Sequence, residues 1–391
     1  MRRTSTFLRV ATAAVAASVL LVTACSSGSD SSKGSDKATT TTTIGTPDEA
    51  VFAKPGPYDV GITSLDLPDR KVSVFYPAPK GSSKGKQPAT YSQLDALPES
   101  LAAAAPQLLP PGTDLTFVMP TTFDGLPAAK GTFPLVVFSH GFGSFRLDAS
   151  SVVSGIASWG FVVAAPEHIE RDRAALVGGK VGGGVADLTG QDVKVITDTI
   201  TLVGSADGVL KGLSDTDKVG VVGHSAGGRA ALSALSEDQV DVAVGWAPAG
   251  RWDQPAPKKP SLFLAAKVDV LVPIEEVQTT FDGLATPKRL VVVEKEGHNS
   301  FTDICKSVQN GQDLVGLAEK AGLQLPANLA EGGRDGCLAG SLDTATAWAI
   351  TQNFTVGQLR YGLGINSTPV GLGQDVVKEF PNATIAYTID E

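Results

Sequence analysis

KVGVVGHSAGGRAALSAL, Lys218 to Leu235, sets one serine between two kinds of structure. Val219, Val221 and Val222 read as a buried strand, and the alanine-rich run from Ala226 reads as a helix, so Ser225 falls on the bend between them. Gly223 and Gly227 stand two residues before and two after it. Without Cβ atoms at those positions, strand and helix approach closely and push the hydroxyl outward, the Gly-x-Ser-x-Gly pattern of a nucleophile. A glycine-rich turn can also serve packing alone, but with the strand before and the helix after it Ser225 reads as a nucleophile.

Outward from this bend, short apolar runs alternate with helical patterns. Candidate strands are KVSVFY (71–76), PLVVFS (134–139), FVVAA (161–165), KVGVV (218–222), VDVAVGW (240–246), SLFLAA (261–266) and RLVVVE (289–294). Between them lie the helix-like LDASSVVSGIASW (147–159), QDVKVITDTITLVGSADGVLKGL (191–213) and AGGRAALSALS (226–236). This alternation predicts an α/β fold with a mostly parallel central sheet and helices on both faces. In such sheets the chemistry gathers at the carboxyl ends of the strands, where Ser225 is expected. The glycine-rich GGKVGGGVADLTG (178–190) reads as a mobile loop, since it lacks the Gly-Lys-Ser or Gly-Lys-Thr of a phosphate cradle.

A serine hydroxyl needs a base, and the chain has four histidines. His140 and His224 belong to the two turns themselves, and His168 follows FVVAAP. His298, in VVVEKEGHNSF, lies on a loop after a strand, where a base can reach the serine. The base in turn needs an acid to hold its tautomer. Asp269, in SLFLAAKVDVLVP, follows a strand and stands between serine and histidine in the chain, giving the order Ser, Asp, His. Its alternatives are Asp253 in a proline-rich loop, Asp282 at a helix end and Glu294, close to His298 on the same strand exit. A tetrahedral intermediate also requires donors for its negative oxygen. HGFG, His140 to Gly143, ends a strand with a turn that offers the amide of Phe142, and the matching donor is the amide of Ala226.

The chain is 391 residues long, with 42% hydrophobic residues, enough for one large core, and its formal charge of −9 argues against general nucleic-acid binding. MRRTSTFLRVATAAVAASVLLVTAC (1–25) carries three arginines and then a short apolar run, the pattern of an export signal. Residues 26–50 open with SSGSDSSKGSDKATTTTTIGTP, which has no side chains to build a core and reads as a tether. Residues 51–391 are expected to form one catalytic domain, with possible cover segments at 91–130 and 302–342. Cys305 and Cys337 form an even pair in an exported domain, for which a disulfide is the default and two free thiols the alternative.

LVTAC resembles the bacterial lipobox, in which the cysteine is acylated after cleavage. That implies a lipidated Cys25 and a lipoprotein on the outer face of the cytoplasmic membrane, the alternative being an ordinary cleaved signal and secretion. GPYDVGITSLDLPDRKVSVFYPAP, FPLVVFSHGFGSFRLDASSVVSGIASWGFVVAAPEH, VGHSAGG, KVDVLVP and EGHNSF together resemble the α/β-hydrolase superfamily, from about Gly56 to Phe301. DTATAWAITQNFTVGQLRYGL (343–363) would be its closing helix. The likeness is to the branch holding platelet-activating-factor acetylhydrolase-like, dienelactone-hydrolase-like and cutinase or polyester-hydrolase-like proteins. It implies the triad Ser225, Asp269 and His298, an oxyanion turn after an early strand, and no cofactor or metal. Dienelactone hydrolases use cysteine as nucleophile, so the serine moves this chain toward esterases. In cutinase-like relatives an aromatic residue flanks the acyl site, a place Trp246 or Trp252 would match, although a core position suits Trp246 equally well. The expected activity is hydrolysis of short-chain, lipid or polyester-like carboxylic esters through an acyl-enzyme. The alternatives are a peptidase or thioesterase with the same triad, and a noncatalytic cell-envelope binding protein. The motifs specify fold and mechanism and leave substrate and oligomeric state open.

Overall fold

The computed structural model describes residues 44–109, 111–250, 257–320 and 327–391, with backbone alone over 327–329. The expected leader, Cys25 and the tether up to residue 43 lie outside these residues, as do Trp252 and Asp253. The described residues belong to one compact unit, Thr43–Glu391.

The strands in chain order are β1 (Asp59–Asp66), β2 (Lys71–Ala78), β3 (Thr90–Ser92), β4 (Thr116–Val118), β5 (Thr122–Asp124), β6 (Phe133–Ser139), β7 (Val162–Pro166), β8 (Ser214–His224), β9 (Val242–Trp246), β10 (Ser261–Ala266), β11 (Lys288–Val293) and β12 (Ile385–Asp390). Ten of them form a sheet in the order β12-β11-β10-β9-β8-β6-β7-β2-β1-β5, and β3 pairs with β4 in a small hairpin. From β7 through β6 and β8 to β11 the pairings are parallel, while β2 and β12 run antiparallel to their neighbours in that block.

The parallel block is buried on both faces, which is why its strands read as near-continuous Val, Ala, Leu and Phe rather than alternating with polar residues. The two-residue side-chain period divides each strand between two cores. Val136, Phe138, Val222 and Val244 face one core, with Ile156 of the helix Ser150–Ser158 and Phe354 of the helix Thr344–Gly362. Leu135, Val137, Val221 and Ala243 face the other, with Ile196 of Val185–Gly204, Ala230 of Ala226–Ala234 and Phe281 of Ile274–Gly283. The register aligns the carboxyl ends: Ser139 pairs with Gly223, Gly223 with Gly245, and Ala266 with Val293. The turns after β6, β8, β10 and β11 therefore leave from one edge.

The seven expected strands are present with ends shifted by a few residues. Residues 178–190, expected as a loop, contribute the first turns of the helix Val185–Gly204. Asp187 accepts the Gly184 amide at 3.1 Å and Leu188 is buried, so local capping and one apolar anchor outweigh the glycines. That helix ends at Gly204 rather than at 213, and a separate turn, Gly208–Leu210, follows it. Within 91–130 lie a helix, Glu99–Leu108, and the strands β4 and β5. Cys305 and Cys337 are joined by a disulfide, Cα–Cα 4.5 Å.

Candidate active site

Ser225 adopts φ 56°, ψ −119°, a sparsely populated conformation for a residue with a Cβ and one that costs about 1–3 kcal/mol. Three backbone bonds hold the bend. The Ser225 amide donates to the Trp246 carbonyl at 2.8 Å, and its carbonyl accepts from Arg229 at 3.1 Å and Ala249 at 3.0 Å. The motif glycines are required by contact. A Cβ on Gly223 would lie 2.0 Å from the Gly227 carbonyl oxygen, and one on Gly227 would lie 1.9 Å from that of Ser139. The hydroxyl is thus carried to the head of the helix Ala226–Ala234.

His298 opens a short turn after β11, and its Nδ1 lies 2.8 Å from Asp269 Oδ2. Asp269 leaves β10, and its other oxygen accepts the amides of Leu271 at 2.8 Å and Val272 at 2.7 Å. Both carboxylate oxygens are therefore occupied and the side chain has one orientation. With Nδ1–H directed at Asp269, Nε2 is the nitrogen of His298 that remains for proton transfer. Asp282 is exposed and accepts from Gln278 on its own helix, and Glu294 is exposed. Neither partners His298.

His224, read from sequence only as a turn residue, packs its ring 4.6 Å from that of His298. Burial, and then the charge of His298, hold its pKa well below 6.5. The neutral ring donates from Nε2 to the His298 carbonyl, 2.8 Å away, and so fixes the backbone of His298. Glu296, two residues before His298, is fully buried with neither carboxylate oxygen bonded among the described residues. Burial raises its pKa to about 8, so it is protonated at neutral pH.

The turn after β6 lies against Ser225: a Cβ on Gly141 would come 3.3 Å from Ser225 Cβ. Gly143 donates its amide to the Arg171 carbonyl at 2.8 Å, and Ser144 donates to Gly141 at 3.3 Å, which leaves the Phe142 amide of this turn available. Ala226 opens its helix, so its N–H has no intrahelical acceptor.

Beneath this turn sits a second set of the same residue types. Ser139 Oγ is 2.9 Å from His168 Nε2, and His168 Nδ1 is 2.9 Å from Asp192 Oδ1. Arg171 completes it, donating to Asp192 at 2.9 Å, to Ser139 Oγ at 3.0 Å and to the His140 carbonyl. Ser139, His168 and Arg171 are wholly buried. Burial and the Arg171 charge bring the His168 pKa down to about 4, so the ring is neutral and receives the Ser139 proton as a hydrogen bond. Glu167 adjoins this set. Burial alone would raise its pKa, but His140 and Arg146 hold it at about 2.

Trp246 is fully buried, and its indole N–H donates to Thr355 at 3.0 Å. Its side chain belongs to the core rather than to a substrate surface, while its carbonyl holds the Ser225 amide.

The family model for platelet-activating factor acetylhydrolase, isoform II, matches residues 52–201. The platelet-activating factor acetylhydrolase of Canis lupus familiaris is 32% identical over 145 residues, 27% of this chain and 33% of that protein. The chain thus spans about a third of the length of the acetylhydrolases it matches. Chlorophyllase-1 of Citrus sinensis is 24% identical over 218 residues, 53% of this chain and 58% of that one. The ferulic acid esterase from Streptomyces cinnamoneus superposes with a TM-score of 0.60 at 22% identity, covering 84% of this chain and 96% of that one. The fold is that of the α/β-hydrolases, and its stretch 52–201 is similar to the platelet-activating factor acetylhydrolases. The family-model match ends before Ser225, within the helix Val185–Gly204. It takes in the turn after β6 and the buried Ser139, His168 and Asp192, while Ser225, Asp269 and His298 lie beyond it.

Proposed function

We propose that the protein hydrolyses carboxylic esters with Ser225 as nucleophile, His298 as general base and acid, and Asp269 as the group that orients His298. The observation that carries this reading is the strained serine at a strand-to-helix bend on the sheet edge that also bears the His298–Asp269 pair. Ser225 Oγ attacks the ester carbonyl while His298 Nε2 takes its proton. The oxyanion is received by the amides of Phe142 and Ala226. Collapse of the intermediate expels the alcohol with the proton from His298 and leaves an acyl-serine. Water, deprotonated by the same nitrogen, then attacks the acyl carbon and releases the acid.

The relatives named as an acetylhydrolase and a ferulic acid esterase support an ester substrate. Val268, Val270 and Leu271, exposed around Asp269, give the loop beside the site an apolar surface suited to acyl groups. In this reading the chain is exported and held at the membrane through an acylated Cys25, supported by the leader, the LVTAC segment and the core-less stretch after it.

A fluorophosphonate probe on the purified protein, with a series of p-nitrophenyl esters of increasing chain length, tests the chemistry. Labelling at Ser225 and ester turnover are expected, both lost in Ser225→Ala. Turnover surviving that substitution overturns the assignment. Incorporation of radioactive fatty acid that disappears in Cys25→Ser tests the anchor, and an unlabelled protein in the medium overturns it.

A further inference from the structure

Asp335 stands in the segment between the base loop and the closing helix, far from Asp269 and close to His298 only through the fold. One of its oxygens, Oδ2, accepts two backbone amides, those of His298 at 2.7 Å and of Val270 at 3.0 Å. The first is the base itself, and the second follows the acid directly. Its backbone carbonyl accepts from Asn299 at 3.0 Å. The acid and base loops are joined at their roots by two backbone bonds, Lys267 to Val293 at 3.0 Å and Val268 to Glu296 at 3.1 Å. Further out, among the described residues, they are tied by the His298–Asp269 bond and by Asp335.

The approach of this carboxylate is built into the chain. A Cβ on Gly297 would lie 2.3 Å from Asp335 Oδ1 and 2.4 Å from the Gly336 nitrogen, so only glycine lets the two segments meet. Gly336, at φ +81°, takes a backbone conformation that L side chains rarely adopt, and its own Cβ would come within 2.5 Å of Ser300 Oγ. Asn299 Nδ2 donates to the Gly332 carbonyl at 2.6 Å, and Leu342 donates to Lys295 at 3.0 Å. Cys337, two residues after Asp335, is bridged to Cys305, seven residues after His298.

We propose that Asp335 is a positioning residue for the reaction, fixing the acid and base loops at their working separation, and that the Cys305–Cys337 bridge acts through it. The proposal rests on the hydrolase reading above. Two effects follow from the geometry. Holding both loops on one oxygen keeps Asp269 and His298 in hydrogen-bond register, and a displacement of about 1 Å at such a site costs on the order of 10²-fold in rate. The negative charge beside the His298 backbone, together with Asp269, favours the imidazolium formed during proton transfer. His224 is neutral, Glu296 is protonated at neutral pH, and Arg334 is turned to Asp313 and Glu319.

The test compares Asp335→Ala and Asp335→Asn in the full chain on a p-nitrophenyl ester. The asparagine carbonyl still accepts both amides but carries no charge. We expect Asp335→Ala to lower kcat by about 10- to 100-fold with KM within about threefold. Asp335→Asn should restore kcat to within about fivefold of wild type, with the acid limb of its kcat/KM profile moved to lower pH. The double variant Cys305→Ser/Cys337→Ser should also lower kcat and be less than additive with Asp335→Ala. Wild-type kcat in Asp335→Ala overturns the proposal, as does equal loss in both Asp335 variants with an unmoved acid limb. Full additivity with the cysteine variant overturns the link to the bridge. Absence of fluorophosphonate labelling at Ser225 in the wild-type protein defeats the hydrolase reading instead.

Discussion

Two Ser, His, Asp sets lie within one fold, and bond lengths alone do not tell them apart. In one, His298 meets Asp269 at 2.8 Å; in the other, His168 meets Asp192 at 2.9 Å and also holds the Ser139 hydroxyl at 2.9 Å. The buried set has its serine hydroxyl bonded to both His168 and Arg171, yet three properties disqualify it. Ser139 is the last residue of a strand and wholly buried, so no substrate reaches it. Its oxygen accepts from Arg171, which draws electron density away from a would-be nucleophile. His168, with a pKa of about 4, is a weak base at neutral pH. Ser225, 8% exposed, differs in having a strained bend at a helix head, a neighbouring turn with an available amide, and a nearby His298 whose Nε2 is not taken by Asp269. Backbone strain at a bend sets Ser225 apart, and complete burial under an arginine marks the Ser139 set as a scaffold. Here the scaffold holds the turn proposed to receive the oxyanion, because Arg171 grips the His140 carbonyl and the Gly143 amide.

The sharpest break of this contrast is at the serines. Ser225→Ala should lower kcat on a short-chain ester by 10⁴-fold or more, on the order seen for removed nucleophiles, whereas Ser139→Ala should keep activity within about tenfold and full fluorophosphonate labelling. A large activity loss in Ser139→Ala with labelling abolished would erase the distinction. Next come the acids. Asp269→Asn should lower kcat by about 10³- to 10⁴-fold with a smaller change in KM and an unchanged circular dichroism spectrum. Asp192→Asn leaves the Arg171 charge buried without its partner. It should therefore cost about 3–5 kcal/mol in denaturant unfolding while the folded fraction still labels. Asp282→Asn and Glu294→Gln, whose carboxylates are exposed and do not bond His298, should stay near wild type.

Smaller effects separate the supports of the two sets. Reducing the Cys305–Cys337 bridge should lower stability by about 2–4 kcal/mol, read as a fall in Tm, and two thiols titrating in the unreduced, denatured protein would rule the bridge out. The smallest effect is one of pH. His168 has a folded pKa of about 4 against an ordinary 6.5, so the unfolded chain binds its proton more readily between those values. The stability it contributes is complete above pH 6.5 and is lost as pH falls toward 4. Burial raises Glu296 to about 8 and Asp303 to about 7, and these act with the opposite sign, losing stability as pH rises from the ordinary carboxyl range through those values. The difference in Tm between wild type and His168→Gln, followed from pH 7 to pH 4, isolates the first term and should shrink as the pH drops.

Much of this was legible in the sequence because the parallel strands are buried on both faces and announce themselves as apolar runs. β1 and β12 were not, since DVGITSLD and IAYTID mix polar and apolar residues along strands near the sheet margins. Ser225, Asp269 and His298 could be picked out because each follows a strand that the pattern reveals. Asp335 could not: it follows no strand, and what seats it is a carboxylate reaching two amides in loops 37 and 65 residues away. The glycines at 297 and 336 were the available sign, but a glycine states only that something passes close, not what it is. His168, Asp192 and Arg171 were opaque for a related reason. Their partners are set by the stacking of β6 and β7 against the helix Val185–Gly204, which no local spacing encodes.

The brace at Asp335 also has a consequence in time. In a chain made from its N-terminus, Ser225, Asp269 and His298 all exist before Asp335 does, and the loops that carry the acid and base can be assembled but not locked. Locking waits for residues 335–337 and for the oxidation that joins Cys337 to Cys305. Within the proposed mechanism, a chain whose Cys305 and Cys337 are still reduced is a slower esterase than the bridged one, so its turnover rises with the oxidation that closes the bridge.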